Sequence, residues 1–283
     1  MMAQKKILLS LLSLLYSLHI LAGGGWVYQK NKGFLKLGQN MIRSQYFFDS
    51  GGNITDIPTV SLYTTSFYGE YGLSDRLNVV LYVPFFVRST LNRVEFNQSG
   101  NTIPGDEINS FGDTNVGLKY GMFQDQPVHL AASLIFGLPF GSSEVSSDRI
   151  LQTGDGEFNQ LLKLEASHSI SGTPAYITGI LGFNNRTQGF SDEFHYGGEI
   201  GVSLKPVTAL LKVYSVNSLY NGDADTSNAN GVFANNTEYV SFTPELIYAL
   251  ENGWGFAASA GFASSGKRIL AAPNFGIGVF LQL

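Results

Sequence analysis

Eight ionisable residues stand at alternating positions inside otherwise apolar stretches, and these side chains are the ones that could do chemistry. They are Glu70, Arg88, Lys119, Lys163, Glu165, Glu199, Lys212 and Glu245. Successive side chains of an extended strand point to opposite faces, so each charge lies opposite an apolar face. Such charges can line a passage and select or bind a small solute, or they can pair into salt bridges that fill a narrow interior. Both interpretations stay open, and they are compatible if a gap remains between the pairs.

The stretch from Leu77 to Arg88 shows the pattern clearly. Its odd-numbered positions are all apolar, whereas its even-numbered positions mix polar and bulky side chains. A soluble β-sandwich would carry many charges on its second face, but here the second faces carry mostly Gly, Ser, Ala and Asn. Because a Lys or Arg facing lipid at the bilayer midplane costs ~2–4 kcal/mol, we predict that the apolar faces point outward to lipid and the charges point into a lumen.

Composition supports this interpretation. Charged residues make up only 14% of the 283 residues and aromatic residues 13%, with 33 glycines and a mean hydropathy of +0.06. A helical membrane protein needs runs of about 20 apolar residues, and only the first segment approaches that. Cysteine is absent, which excludes disulfide scaffolds, thiol catalysis and cysteine metal sites.

Residues 1–24 have the pattern of a secretory signal peptide. Lys5 and Lys6 precede an apolar stretch, and small residues follow it. We predict cleavage after Gly24, with Ala22 as the second choice and a retained membrane anchor as the alternative. Residues 25–283 then form the barrel, with a net charge of 15 − 22 = −7 after Lys5 and Lys6 are removed. This acidity argues against nucleic-acid binding, which requires a basic surface.

The mature sequence predicts an all-β fold, an antiparallel up-and-down transmembrane β-barrel of about twelve strands. The predicted strands are 33–48, 59–72, 77–88, 110–123, 128–140, 156–169, 174–187, 193–204, 207–219, 238–250, 254–266 and 272–283. Their connections alternate between short turns and longer polar loops, as in outer-membrane barrels. Only Gly25–Lys32 precede the first strand, so we predict no plug domain.

Aromatic residues near the predicted strand ends are candidates for an interfacial girdle, although ordinary β-propensity also explains them. The candidates are Trp26, Tyr46, Phe47, Phe48, Tyr68, Tyr71, Tyr120, Tyr220 and Trp254.

No catalytic residue, metal site or cofactor is predicted. His168 lies between Ser167 and Ser169, which is not the His-x-Ser spacing of an outer-membrane phospholipase, and alternation places its side chain on the lipid face. The three mature histidines are far apart in sequence, and no glycine-rich phosphate motif occurs. We therefore expect a protein that is not an enzyme.

Three Gly/Asp-rich segments carry a family resemblance. They are Tyr71–Leu77 (YGLSDRL), Phe111–Tyr120 (FGDTNVGLKY) and Leu151–Gly156 (LQTGDG). With the layout of residues 30–283, they resemble the outer-membrane β-barrel family named for the meta-pathway of phenol degradation, a family of proposed transporters. The resemblance implies location and architecture more than a substrate.

These observations predict a channel or transporter for small solutes in the bacterial outer membrane. The alternative is a surface-exposed structural or adhesion barrel with a plugged lumen, acting through its extracellular loops near 89–109 and 220–237. The expected partners are outer-membrane lipid and lipopolysaccharide, the barrel-assembly machinery and an unidentified small solute.

Overall fold

The computed structural model describes residues 23–95, 100–143, 151–223 and 233–283. The predicted signal peptide lies outside the described residues, except for Gly23 and Gly24. The strands are β1 Gly33–Phe48, β2 Ile54–Gly72, β3 Leu77–Leu91, β4 Val94–Glu95, β5 Thr102–Ile103, β6 Asp106–Ser110, β7 Thr114–Phe123, β8 Val128–Leu138, β9 Asn159–Ser169, β10 Ala175–Arg186, β11 Glu193–Leu204, β12 Val207–Ser218, β13 Glu238–Ala249, β14 Trp254–Lys267, β15 Ile269–Leu270 and β16 Asn274–Gln282.

The long strands form a closed antiparallel barrel. Each pairs with its neighbours in sequence order, and the ring closes because β1 pairs with both β2 and β16. Two short strands extend the wall, with β6 pairing beside β3 and β15 beside β1, while β4 and β5 form a separate hairpin. The predicted all-β barrel of about twelve strands is confirmed. Among the described residues, no helix is long and apolar enough to cross a membrane.

The polarity of the wall is inverted relative to a soluble protein. Large apolar side chains such as Leu181 (54% exposed) and Ile277 (66% exposed) point outward, whereas Asn78 and Glu70 are buried inside. This is the arrangement of a barrel whose outer surface meets acyl chains and whose polar groups are sheltered in the lumen.

The two ends of the barrel differ in their connections. One end has turns of two to five residues, at 73–76, 124–127, 170–174, 205–206 and 250–253, and we call it the short-turn end. The opposite end carries the longer connections and is called the long-loop end. β1 starts and β16 finishes at the short-turn end, as an even number of strands requires.

The inward-facing and outward-facing positions of β3 exchange midway along the strand. Thr65 of β2 pairs with Phe86 of β3, and Phe67 pairs with Val83, so β3 has one more residue than β2 between these two pairs. This is a β-bulge, which bends the strand and interrupts the alternation of its side chains. The predicted alternation from Leu77 to Arg88 assumed a continuous strand.

The bulge corrects the prediction for Arg88. Before the bulge, Asn78 is buried on the inner face, and beyond it Val87 and Ser89 are the buried residues. Arg88 therefore points outward, where it forms an exposed ion pair with Glu107. A one-residue insertion reverses the facing of every later side chain in a strand, and period-two reasoning from sequence did not anticipate it.

A matched pair of substitutions tests the inverted polarity. Leu181 and Ile180 are adjacent on β10, but Leu181 faces outward and Ile180 lines the internal cavity. We expect Leu181→Arg to lower the free energy of unfolding in lipid vesicles by ~2–4 kcal/mol. Ile180→Arg should cost less, because its side chain enters a polar cavity. Urea titration of both variants measures the difference, and an equal or reversed order would contradict the assigned facing.

Candidate functional site

The lumen contains a cavity of about 330 Å³ in the half nearer the short-turn end. Apolar residues, including Phe34, Ile180 and Leu210, contribute part of its wall. The polar residues that line it include Lys36, Tyr68, Glu70, Tyr82, Glu199, Lys212 and Glu245. Four of the eight residues singled out from the sequence therefore line this cavity.

A first ion-pair network lies on β2, β7 and β9. Lys119 Nζ is 3.3 Å from Glu70 Oε1 and 3.9 Å from Glu165 Oε2, and Lys163 Nζ is 3.1 Å from Glu165 Oε1. The side chains of Lys119, Glu70 and Glu165 are at most 5% exposed. Asn78 also donates to Glu70 over 2.8 Å. Buried charges of this kind need both a counter-ion and hydrogen bonds, and the network supplies both.

A second network lies on β1, β11, β12 and β13. Glu245 accepts from Lys36 over 3.2 Å and from Lys212 over 2.5 Å, and Lys212 Nζ lies 3.7 Å from Glu199. Tyr176 donates to Glu199 over 2.5 Å. Lys36 and Lys212 keep 28% and 42% of their side chains exposed, so these ammonium groups can meet a solute in the cavity.

The sequence missed Lys36, although its signal was present. Lys36 stands between Leu35 and Leu37 in the same alternating pattern as the residues that were chosen. Together the two networks hold four lysines and four glutamates, Lys36, Lys119, Lys163, Lys212, Glu70, Glu165, Glu199 and Glu245. We call these eight residues the charge belt. Its formal charge is zero, and each of its residues forms an ion pair with a residue of opposite charge in the belt.

The segment before β1 lies inside the short-turn end of the barrel. Gly25 N donates to Ser167 Oγ over 2.8 Å. The Gln124 side-chain amide forms two hydrogen bonds with the segment. It donates to Gly25 O over 2.8 Å and accepts from Val27 N over 3.3 Å. Glycine is required at position 25, because an added Cβ would lie 2.2 Å from His129 O.

Trp26 anchors this segment in the lumen. Its ring meets Tyr176 edge-on with centroids 5.3 Å apart, and it lies 5.7 Å from the ring of His129. Only 8% of Trp26 is exposed. Edge-to-face aromatic packing of this kind adds ~0.5–1.5 kcal/mol beyond the burial of area.

Contacts continue to the start of β1. Lys30 N donates to Asp75 Oδ1 over 3.1 Å, and Asn31 N donates to Gly72 O over 2.9 Å. An added Cβ at Gly72 would lie 2.1 Å from Gln29 O. The segment therefore follows a path that the barrel wall is shaped to receive. We call residues 25–32 the N-terminal strap.

The strap corrects one prediction and adds to another. The segment was judged too short to form a plug domain, and it is not a domain, yet it occupies part of the lumen. Trp26 was a candidate for the interfacial girdle, but it is buried inside. Tyr68, another candidate, lines the internal cavity and donates to Glu70. Composition and alternation give no information about where an irregular segment goes, because its backbone has no periodic signal.

The long-loop end is narrowed by the connection between β8 and β9. Leu151 is fully buried and packs with Val60, Leu91 and Leu270, which face inward from the wall. Thr153 beside it is also fully buried. The cavity therefore lies between the strap at one end and this loop at the other.

A single arginine holds that loop. Each nitrogen of the Arg186 guanidinium meets a different carboxylate, with Nη2 2.6 Å from Asp155, Nε 2.7 Å from Glu157 and Nη1 2.9 Å from Glu193. The planar fork of arginine suits such multiple charge-assisted bonds. The three acids belong to a loop and a neighbouring strand, so Arg186 joins them to β10.

Asp113 brings two of the family-like segments together. Its carboxylate accepts from Gly141 N and Asp155 N, each over 2.9 Å. Asp113 belongs to FGDTNVGLKY and Asp155 to LQTGDG. Asp75 and Asp113 stand next to strand ends, where an Asp side chain commonly accepts from the backbone of its own turn. The structure shows that both accept from distant segments, Asp75 from the strap and Asp113 from the β8–β9 loop.

Burial raises the pKa values of two carboxyl groups in and beside this loop. Desolvation raises the pKa of Asp155 to about 7, despite the opposing attraction of Arg186. Burial also raises the pKa of Asp113, and hydrogen bonds from Asp155 and Gly141 oppose the shift. Two carboxyl groups side by side with few water contacts favour protonation of at least one.

The barrel is similar to solved structures of outer-membrane channels and porins. An outer-membrane channel from Pseudomonas putida F1 has a TM-score of 0.65 at 10% identity, covering 93% of this chain and 99% of that one. The NanC porin has a TM-score of 0.53 at 8% identity, covering 88% and 100%. The KdgM porin, solved in complex with disordered oligogalacturonate, has a TM-score of 0.50 at 8% identity, covering 88% and 99%.

At such low identity these likenesses establish the fold, which is that of outer-membrane β-barrels. No family model and no curated protein matches the sequence. The resemblance to the family named for the meta-pathway of phenol degradation therefore stays a prediction.

Removing Lys119 tests the first network. We expect Lys119→Met to lower the free energy of unfolding by about 3–5 kcal/mol, because Glu70 stays buried without its counter-ion. The double variant Lys119→Met/Glu70→Gln should recover much of that loss. Lys205→Met, at an exposed turn, is the control and should change stability by less than about 0.5 kcal/mol. A small effect of Lys119→Met in urea titrations would show that water reaches the network freely.

The raised pKa of Asp155 makes the free energy of opening of the β8–β9 loop depend on pH. The folded loop binds this proton more tightly than an open loop, in which the carboxyl would titrate near its ordinary 3.8. The free energy of opening is therefore highest at low pH and falls as pH rises from about 4 through about 7. Hydrogen exchange of residues 151–158, corrected for intrinsic rates, should show it. Asp155→Asn should remove the part of the dependence that Asp155 contributes and leave the smaller part from Asp113, whereas the exposed Asp125→Asn should change nothing.

Proposed function

We propose that this protein is an outer-membrane channel through which small polar solutes pass by diffusion. The observation that carries the proposal is the internal cavity, which is lined by ionic and tyrosine side chains inside a closed, outwardly apolar barrel. The similar folds of channels and porins support the location and the general role. Outer-membrane barrels place their short turns in the periplasm and their longer loops outside. We therefore infer that the short-turn end faces the periplasm and the long-loop end faces the outside.

The charge belt sets an expectation for selectivity. Its four lysines and four glutamates balance, but the cavity wall itself holds Lys36 and Lys212 against Glu70, Glu199 and Glu245, so we expect a weak preference for cations. The exposed ammonium groups of Lys36 and Lys212 and the carboxylates of Glu199 and Glu245 lie together. A solute that carries both donors and acceptors can exchange with these pairs without leaving a buried charge alone. We propose that the residues of the charge belt contact the solute and set the selectivity of the channel.

Passage requires the N-terminal strap to move. The strap is joined to the wall by single hydrogen bonds and one aromatic anchor rather than by a strand ladder. A segment with few backbone bonds opens at lower free energy than the wall around it. We infer that movement of the strap opens the periplasmic end of the lumen, while the ring of paired strands stays intact.

Planar-bilayer conductance of wild type and Gln124→Ala tests this function. Gln124→Ala removes two hydrogen bonds from the strap, each worth ~0.5–1.5 kcal/mol, so the open population should rise roughly tenfold. Gln126→Ala, an exposed residue of the same turn, is the matched control. We expect conductance steps in the wild type, a larger open fraction in Gln124→Ala and no change in Gln126→Ala.

Liposome swelling with neutral sugars and amino acids gives a second readout. Bilayers that stay sealed at high protein occupancy, for wild type and Gln124→Ala alike, would contradict the channel proposal.

One observation favours the alternative role as a surface barrel with a plugged lumen. Both ends of the cavity are narrowed, by the strap and by Leu151. Under that alternative, Gln124→Ala leaves the bilayer sealed, and shortening the β4–β5 hairpin abolishes cell-surface adhesion while the barrel still assembles. The bilayer measurement therefore distinguishes the two functions.

A further inference from the structure

The outer wall near the long-loop end carries a polar patch on β1, β2, β3 and β6. Strand register places two rows of directly opposed residues there. The first row is Arg43, Ser61, Thr90 and Glu107, and the second is Met41, Tyr63, Arg88 and Asn109. Arg43, Tyr63, Arg88, Thr90 and Glu107 line one shallow groove. We call Arg43, Tyr63 and Arg88 the arginine patch.

The patch faces away from the lumen. Ser44 on one side of Arg43 is buried, and Ile42 on its other side packs against the internal apolar cluster that contains Leu151. Alternation along β1 therefore directs Arg43 outward. The bulge in β3 directs Arg88 outward as well, so both cations reach the same external surface.

The height of the patch matches the boundary between acyl chains and headgroups. Arg43 is ten residues beyond Gly33, where β1 begins at the short-turn end. At ~3.3 Å per residue and a tilt near 40°, that distance corresponds to a rise of about 25 Å, which is the height of the apolar band of such barrels. Below it, Leu37 and Met41 point outward and are exposed. Arg43 thus stands above Met41 and Leu37 on the outer face, with Gln39, which accepts from Thr65 over 2.6 Å, as the polar residue between them.

The two arginines differ in their protein partners. Arg88 pairs with Glu107 over 2.5 Å. Arg43 is exposed and, among the described residues, makes no ion pair and donates no hydrogen bond. Near the membrane interface an exposed arginine costs only ~0–1 kcal/mol, and its N–H donors can bind an anionic group there. The guanidinium of Arg43 is therefore available to an anionic group at the membrane surface.

We propose that the arginine patch binds a phosphate group of the lipid A portion of lipopolysaccharide in the outer leaflet. Guanidinium groups form paired charge-assisted hydrogen bonds with phosphate, and Tyr63 between them can add a hydroxyl donor. The exposed apolar side chains beneath, Leu37, Met41 and Phe86, receive the acyl chains of the same molecule. The groove opens onto the outer wall rather than into the lumen, which favours a lipid-borne phosphate over a free one.

This inference rests on the outer-membrane location proposed above, but it does not require conduction. Lipid binding by the purified barrel in detergent is therefore a separate measurement from bilayer conductance. A protein that binds lipid A and never conducts would support the patch and contradict only the channel proposal.

Native mass spectrometry with bisphosphorylated lipid A is the test, with dephosphorylated lipid A and inorganic phosphate as comparison ligands. The double variant Arg43→Gln/Arg88→Gln should bind bisphosphorylated lipid A at least roughly tenfold more weakly than wild type. Arg76→Gln is the matched control, because Arg76 is an exposed arginine at the short-turn end that pairs with Asp125. It should bind as wild type does.

A second variant acts in the opposite direction. Glu107→Gln releases Arg88 from its ion pair, so it should strengthen binding of phosphorylated lipid A without affecting the dephosphorylated form. Equal binding of both lipid forms by the wild type would overturn the proposal. So would full binding by the Arg43→Gln/Arg88→Gln variant, equal loss in Arg76→Gln, weaker binding by Glu107→Gln, or inorganic phosphate displacing lipid A at similar concentrations.

Discussion

The pairing of β1 with β16 is the constraint on which the rest of this structure depends. Within an apolar band, water cannot satisfy backbone N–H and C=O groups, so each must find a partner in the chain. An open sheet would leave two unpaired edges, whereas the closed ring leaves none. Closure also separates two environments, an outer surface that meets lipid and an enclosed lumen, and each strand places alternate side chains in each.

The enclosed lumen explains why ionic residues occur in the wall at all. A charge outside would face acyl chains, and a lone charge inside would be desolvated without compensation. The protein meets both limits with two balanced networks, one centred on Lys119 and one on Glu245. The first is deeply buried and mainly stabilises the wall, whereas the second leaves two ammonium groups open to the cavity. The two networks thus differ in exposure and not in residue type.

The irregular segments decide how much of the lumen remains. The strap closes over the short-turn end through Trp26 and the amide of Gln124, and the β8–β9 loop narrows the other end through Leu151 and the Arg186 carboxylates. Both segments contribute a few specific contacts rather than a continuous ladder. They are therefore the elements that can open while the barrel keeps its shape.

The sequence by itself determined the fold class, the number of strands, most strand bounds within a few residues and the inward facing of seven charged residues. It could do so because alternation in a strand is local and charges in lipid are expensive. Only the tertiary structure decided the facing of Arg88, the inclusion of Lys36 in the second network and the path of the strap. A bulge is set by the pairing of two strands, an ion pair by the closure of the ring, and an irregular segment by the surface that receives it. Alternation indicates the inward facing of Lys36 but not its partners, and the bulge and the strap have no periodic signature. Each therefore depends on contacts between residues that are distant along the chain.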